Sequence, residues 1–233
     1  MPSGGHGDQR PSLPQRVPFF YGWIILAVGA LAIFISSPGQ TFSVSIFVDH
    51  IIADLDLSRS TISGLYTAGS LTAGAAVVFV GRLLDRYGAR VMLTAICVLF
   101  GFAAVWMSSV NSALQLYIGF ALIRALGQGS MTMVPTTLIA TWFIRRRGRA
   151  TAIGAVGAAI GAAVFPILIH YLIAQGGWRN AWMVLAFIIW GVLLVPAVLL
   201  VRRSPEAVGL RPDGQSTVKV EQVGESGAGY VPE

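Results

Sequence analysis

The chain has a single cysteine, Cys97, in its 233 residues. One thiol cannot close an intrachain disulfide, so a disulfide-stapled scaffold is excluded, and Cys97 reads as a small core residue inside an apolar run. Charge is scarce as well. Only 11% of residues are charged, where a water-soluble globular domain carries about a quarter. Acidic side chains are missing from every long apolar run, which argues against a carboxylate relay for cations or protons there. No cluster of His, Cys, Asp and Glu has metal-ligand spacing, and no glycine-rich loop follows a strand pattern. The sequence therefore offers no metal site, no cofactor site and no enzymatic constellation.

What is present is hydrophobicity in blocks. The chain is 55% hydrophobic, with a mean hydropathy of +0.72. Residues 62–80, 91–123, 125–144 and 181–201 carry no charge. A bilayer core about 30 Å thick takes roughly 20 apolar helical residues to cross. The pattern predicts an all-α polytopic membrane protein with six spans, near 19–47, 60–80, 91–109, 114–144, 150–174 and 181–201. Residues 1–18 read as a disordered tail, 19–203 as the transmembrane domain and 204–233 as a linker or tail. Span 1 is broken by SSPGQTFS at 36–43, because Pro38 donates no backbone hydrogen bond and Gly39 loosens the next turn. Such a break is tolerated against protein or a water-lined cavity, so the far half of span 1 is expected to face a cavity. VDHIIADLDLSRS reads as an amphipathic connector, with Ser58 or Ser60 capping span 2. Glycines 64, 69 and 74 in span 2, and 154, 157 and 161 in span 5, read as close-packing faces.

The net charge of +6 does not signal nucleic acid here. Of the 16 Lys and Arg, all but Arg59, Arg124 and Arg179 fall on the side of both termini. The positive-inside rule then places both ends in the cytoplasm.

Arginines alone would satisfy that rule, yet VGRLLDRYGARVM (80–92) also holds Asp85 between two glycines. A carboxylate there can accept from an arginine or sit at a helix N-terminus, and the glycines permit a sharp turn and close helix approach. Gly81, Leu83, Asp85, Arg86, Gly88 and Arg90 together resemble the loop signature of the major facilitator superfamily, with Ala89 where a second basic residue is frequent. FFYGW, WFIRRRGRATAIGAVGAAIG, GGWRNAW and SPEAVGLRPDG resemble its monocarboxylate transporter and oxalate/formate antiporter branch. The resemblance implies half of a twelve-helix fold, built as three-plus-three inverted repeats. It implies a secondary active transporter, not an enzyme, in the plasma (inner) membrane. The expected partners are the lipid bilayer, a small organic anion such as a mono- or dicarboxylate, and a missing C-terminal half or a second copy. It also implies that Asp85 is a conformational latch, with Gly81, Arg86, Gly88 and Arg90 in support. The alternatives are a drug or sugar facilitator of another branch, or a membrane interaction subunit without transport of its own.

Arg124 lies about eleven residues into span 4, roughly 16 Å deep at 1.5 Å per residue, near the midplane. A mid-membrane charge faces a cavity or a partner, so Arg124 either lines the anion path or bonds backbone carbonyls. Helical spacing puts Gln128 and Met131 on its face, and RALGQGS is similar to the superfamily's span-4 arginine and glycine motif. Gln40 matches a cavity glutamine of the oxalate/formate branch. Thr41, and Thr132 in span 4, stand where that branch carries aromatics. Tyr66 in span 2 is a further candidate for the cavity, and His170 reads as a lone interfacial side chain.

Overall fold

A computed structural model describes residues 20–202 and 205; apart from residue 205, both tails read from the sequence lie outside the described residues. Among the described residues the chain is helical and has no strand. α1 (Gly22–Ile35) ends at a 3-10 turn, Ser37–Gly39, and α2 (Thr41–Leu55) continues beyond it. α3 (Arg59–Tyr87) and α4 (Ala89–Ser108) follow. Next come α5 (Ala113–Ile123), a π-helical segment (Arg124–Ser130) and α6 (Met131–Trp142). α7 (Arg147–Ile189), a second π-helical segment (Trp190–Leu194) and α8 (Val195–Leu200) complete the order.

Among the described residues four helical stretches are long and apolar enough to cross a membrane: Gly22–Leu55, Arg59–Tyr87, Ala89–Ser108 and Arg147–Leu200. The last has 54 residues, about 80 Å of helix at 1.5 Å per residue, more than twice a bilayer core. It turns at Gly177, whose φ of 77° and ψ of 170° are not helical. The expected span 4 is divided by its π segment into pieces of 11, 7 and 12 residues, each too short to cross alone.

The connections are tighter than expected. The 80–92 stretch is helix on both sides of one residue, Gly88, whose φ is 81°; glycine takes that conformation without a Cβ clash. Likewise α2 runs to Leu55, so Asp49 and Asp54 sit on helix rather than in a connector. Asp56 takes the left-handed conformation that ends it, and the Ser58 hydroxyl accepts the Thr61 N–H at 3.1 Å to start α3.

The break in span 1 is buried in protein. Ser37, Pro38 and Gly39 are all buried. A Cβ on Gly39 would fall 2.6 Å from the Ile123 carbonyl oxygen and 2.8 Å from the Gly127 Cα, so the break crosses the first π segment nearly backbone to backbone. Gly157 and Gly161 bring α7 as close to α1 and the turn, against Ala30 and Ser37. Gly69 packs α3 on Phe120 and Ala121, but Gly64 and Gly74 face open space, so the expected packing face of span 2 reduces to one glycine. Phe47 of α2 stacks on Trp182 at 4.6 Å between ring centroids, joining the far half of span 1 to the helix after Gly177.

Candidate functional site

Arg124 begins the first π segment, a helical form frequent at functional sites. Its guanidinium leaves span 4 for two other spans. Nε donates to the Ser70 Oγ at 3.2 Å and Nη1 to the Thr41 Oγ1 at 3.0 Å. Its Cζ lies 5.1 Å from the centre of the Tyr66 ring, a cation–π contact. Tyr66 stands edge-on to Phe120 at 5.4 Å, and its hydroxyl donates to the same Thr41 oxygen at 3.0 Å. Neither ion pair seen between described residues, Arg59–Asp49 or Arg179–Asp54, involves Arg124, so no carboxylate among them neutralises it.

A cavity of about 190 Å³ adjoins this network, with Thr41, Val44, Ile62, Ser63, Tyr66 and Phe120 in its walls. Arg124 is not in those walls; it meets the cavity through Thr41 and Tyr66. Thr41, Tyr66 and Arg124, read separately from the sequence, thus converge. Gln40 does not join them: its side-chain amide donates to Ser36 at 3.1 Å, back into the break. Gln128 Oε1 is buried with no hydrogen-bond partner among the described residues, and Met131 is fully buried. The shared face with Arg124 assumed 3.6 residues per turn, and the π segment, bonding i to i+5, breaks that register. Ser70 was not legible as a site residue, since a serine in an apolar helix is ordinary; its one signal is a position one helical turn from Tyr66.

The residues expected to form a latch sit at the Arg-rich end. Asp85 borders a cavity of about 260 Å³ with Leu84, Gly88, Ala89, Thr137, Leu138 and Thr141, and forms no ion pair among the described residues. The arginines expected beside it turn elsewhere. The Arg86 guanidinium lies over the Tyr87 ring at 5.4 Å, and Arg90 Nε donates to the Val198 carbonyl at 3.0 Å, at the free carbonyl end of α8. Gly81 faces open space, so it makes no close helix approach. Arg179, expected as a charge in a turn, is a hub at the opposite end. It pairs with Asp54, donates to the Val110 carbonyl at 2.8 Å and to Asn111 Oδ1 at 3.0 Å, and covers the Trp178 ring at 4.3 Å.

These helices define a multi-pass membrane protein. A family model of the major facilitator superfamily matches residues 16–227, and the chain belongs to that family of transporters. It is 29% identical to the MFS transporter asaE of Aspergillus flavus, over 82% of this chain and 44% of that protein. It is 28% identical to the fujikurins efflux protein of Gibberella fujikuroi, over 77% of this chain and 39% of the relative. To human monocarboxylate transporter 6 it is 24% identical, over 87% of this chain and 39% of the relative. The chain thus spans about two fifths of the length of the curated relatives it matches.

Proposed function

We propose that these helices act as the N-terminal six-span half of a secondary transporter that moves small organic anions, mono- or dicarboxylates, by alternating access. The observation that carries this reading is Arg124, a cation inside a span, beside a cavity, held by hydroxyls and a ring but by no acid among the described residues. A charge is costly at that depth and is retained where it meets a cavity or a partner; the counter-charge missing from the described residues is the one an anionic substrate brings. The six-span count follows if 113–142 crosses once and the long helical stretch crosses twice, turning at Gly177. The Arg-rich end then lies in the cytoplasm by the positive-inside rule, and Asp85 acts there as the latch. The coverage of the relatives supports a second six-helix half as the partner that completes the pathway. The relative named a monocarboxylate transporter favours a carboxylate, and the relative named an efflux protein favours a second reading, export of a larger product.

Uptake of radiolabelled acetate, lactate and oxalate into proteoliposomes holding the full-length protein tests the proposal. The expected result is saturable uptake of at least one of them, reduced at least tenfold by Arg124→Gln with unchanged insertion. Saturable transport of uncharged compounds, with no carboxylate carried, overturns it in favour of the second reading.

A further inference from the structure

We infer that Thr41 is a built-in stand-in for the substrate anion: its hydroxyl oxygen occupies the position of a carboxylate oxygen, and Ser70 fixes the guanidinium that both address. The inference rests on the reading of Arg124 as the anion-binding residue.

Two donors, Arg124 Nη1 and the Tyr66 hydroxyl, converge on the Thr41 oxygen, each at 3.0 Å. A hydroxyl oxygen has two lone pairs, and this one spends both on incoming donors, as an oxygen of an ionised carboxylate would. Threonines in the interior of these helices bond back to a carbonyl four residues earlier, as Thr67, Thr72, Thr94 and Thr136 do, and Thr61 in the first turn of α3 bonds the Ser58 hydroxyl. Thr41 is released from that habit because it is the first residue of α2 and follows the Ser37–Gly39 turn. The break in span 1 therefore does more than bend the chain: it frees one hydroxyl to serve two donors across the bundle.

The position of Thr41 completes the argument. It lies in the cavity wall, and Arg124 does not. An anion entering that cavity reaches the guanidinium where Thr41 now stands, and receives the two donors that Thr41 now accepts. Ser70 holds the other side of the group at Nε and does not compete. The guanidinium is thus divided between an edge held in place and an edge lent to a weak, neutral acceptor. A carboxylate outbids a hydroxyl for both donors, because hydrogen bonds between ionised partners are the stronger ones.

The test is binding of acetate, lactate and benzoate to the full-length protein in lipid nanodiscs, by calorimetry and by the rise in melting temperature. Thr41→Val keeps the shape and removes the competing acceptor, so affinity should rise about tenfold, the worth of one hydrogen bond to a charged group. Ser70→Ala should weaken binding by about the same factor, with Ser70→Thr restoring it, and Arg124→Lys should weaken it at least as much. Thr41→Ala carries the same expectation if the valine variant does not fold. Unchanged or weaker binding in the Thr41 variants, with Arg124→Lys still weakened, overturns the stand-in and leaves the anion reading intact. Absence of binding of all three anions to the unsubstituted protein, or equal binding to Arg124→Lys, overturns both.

Discussion

The two ends of the helical bundle handle charge in opposite ways. At the end holding the α2–α3 connection and the Gly177 turn, both arginines are paired with aspartates of α2, Arg59 with Asp49 and Arg179 with Asp54. At the Arg-rich end Asp85 has no ion-pair partner among the described residues and borders a cavity, while Arg86 and Arg90 are engaged by a ring and a helix carbonyl. The first end ties both of its arginines to its own helices and leaves Asp56 exposed at the end of α2. The other keeps its acid beside a cavity. Charges satisfied within one rigid unit cannot report the position of another unit; a charge left over can.

The comparison is broken most directly at Arg179. It joins α2, the turn after α4 and the helix after Gly177 through one side chain. Arg179→Ala should lower stability by about 2 to 3 kcal/mol, from charge-assisted bonds to a carboxylate and a carbonyl. The measurement is the thermal midpoint in detergent, and a shift no larger than that of an exposed-site control would show that this end is not closed by its charges. A smaller effect is expected for Arg59→Ala. The Arg59 and Asp49 side chains are 68% and 71% exposed, and such pairs contribute about 0 to 1 kcal/mol. A loss rivalling that of Arg179→Ala would erase the distinction between hub and surface pair. Asp85→Asn should barely move stability, because no described bond is lost, yet slow transport severalfold in the full-length protein. Its check is uptake rate against thermal midpoint; an unstable variant with normal transport would make Asp85 a structural residue like those of the other end.

Much of this was legible in the sequence, and the limits have physical causes. Charge-free runs marked the helices because a span tolerates few charges, and Pro38 with Gly39 marked the break because both act locally. The extent of the 80–92 connection was overread. Arg82, Asp85 and Arg86 suggested a loop, but helix ends near an interface carry charge readily, and Gly88 alone makes the turn. Arg124 stood out as a charge in an apolar run, and Thr41 and Tyr66 as candidates for the same cavity. Their meeting on one oxygen was not legible, because it joins positions 41, 66 and 124, and the register along span 4 depends on a π segment that no local pattern announces. Gln40 matched a family position, yet its amide is taken by Ser36. Ser70 and the partners of Arg179 escaped notice because they are ordinary residue types whose roles arise from distant parts of the chain.

The turn at Gly88 leaves almost no slack. One residue separates the last of α3 from the first of α4, and consecutive Cα atoms across a trans peptide stand about 3.8 Å apart. Two helices joined so closely cannot slide past each other by even one helical turn, about 5.4 Å. Asp85 stands three residues before that joint, with no loop between it and α4 to take up slack. The joint therefore ties the ends of α3 and α4 to one place while leaving the angle between them to a glycine, and Arg90, in the first turn of α4, adds one bond onward to α8.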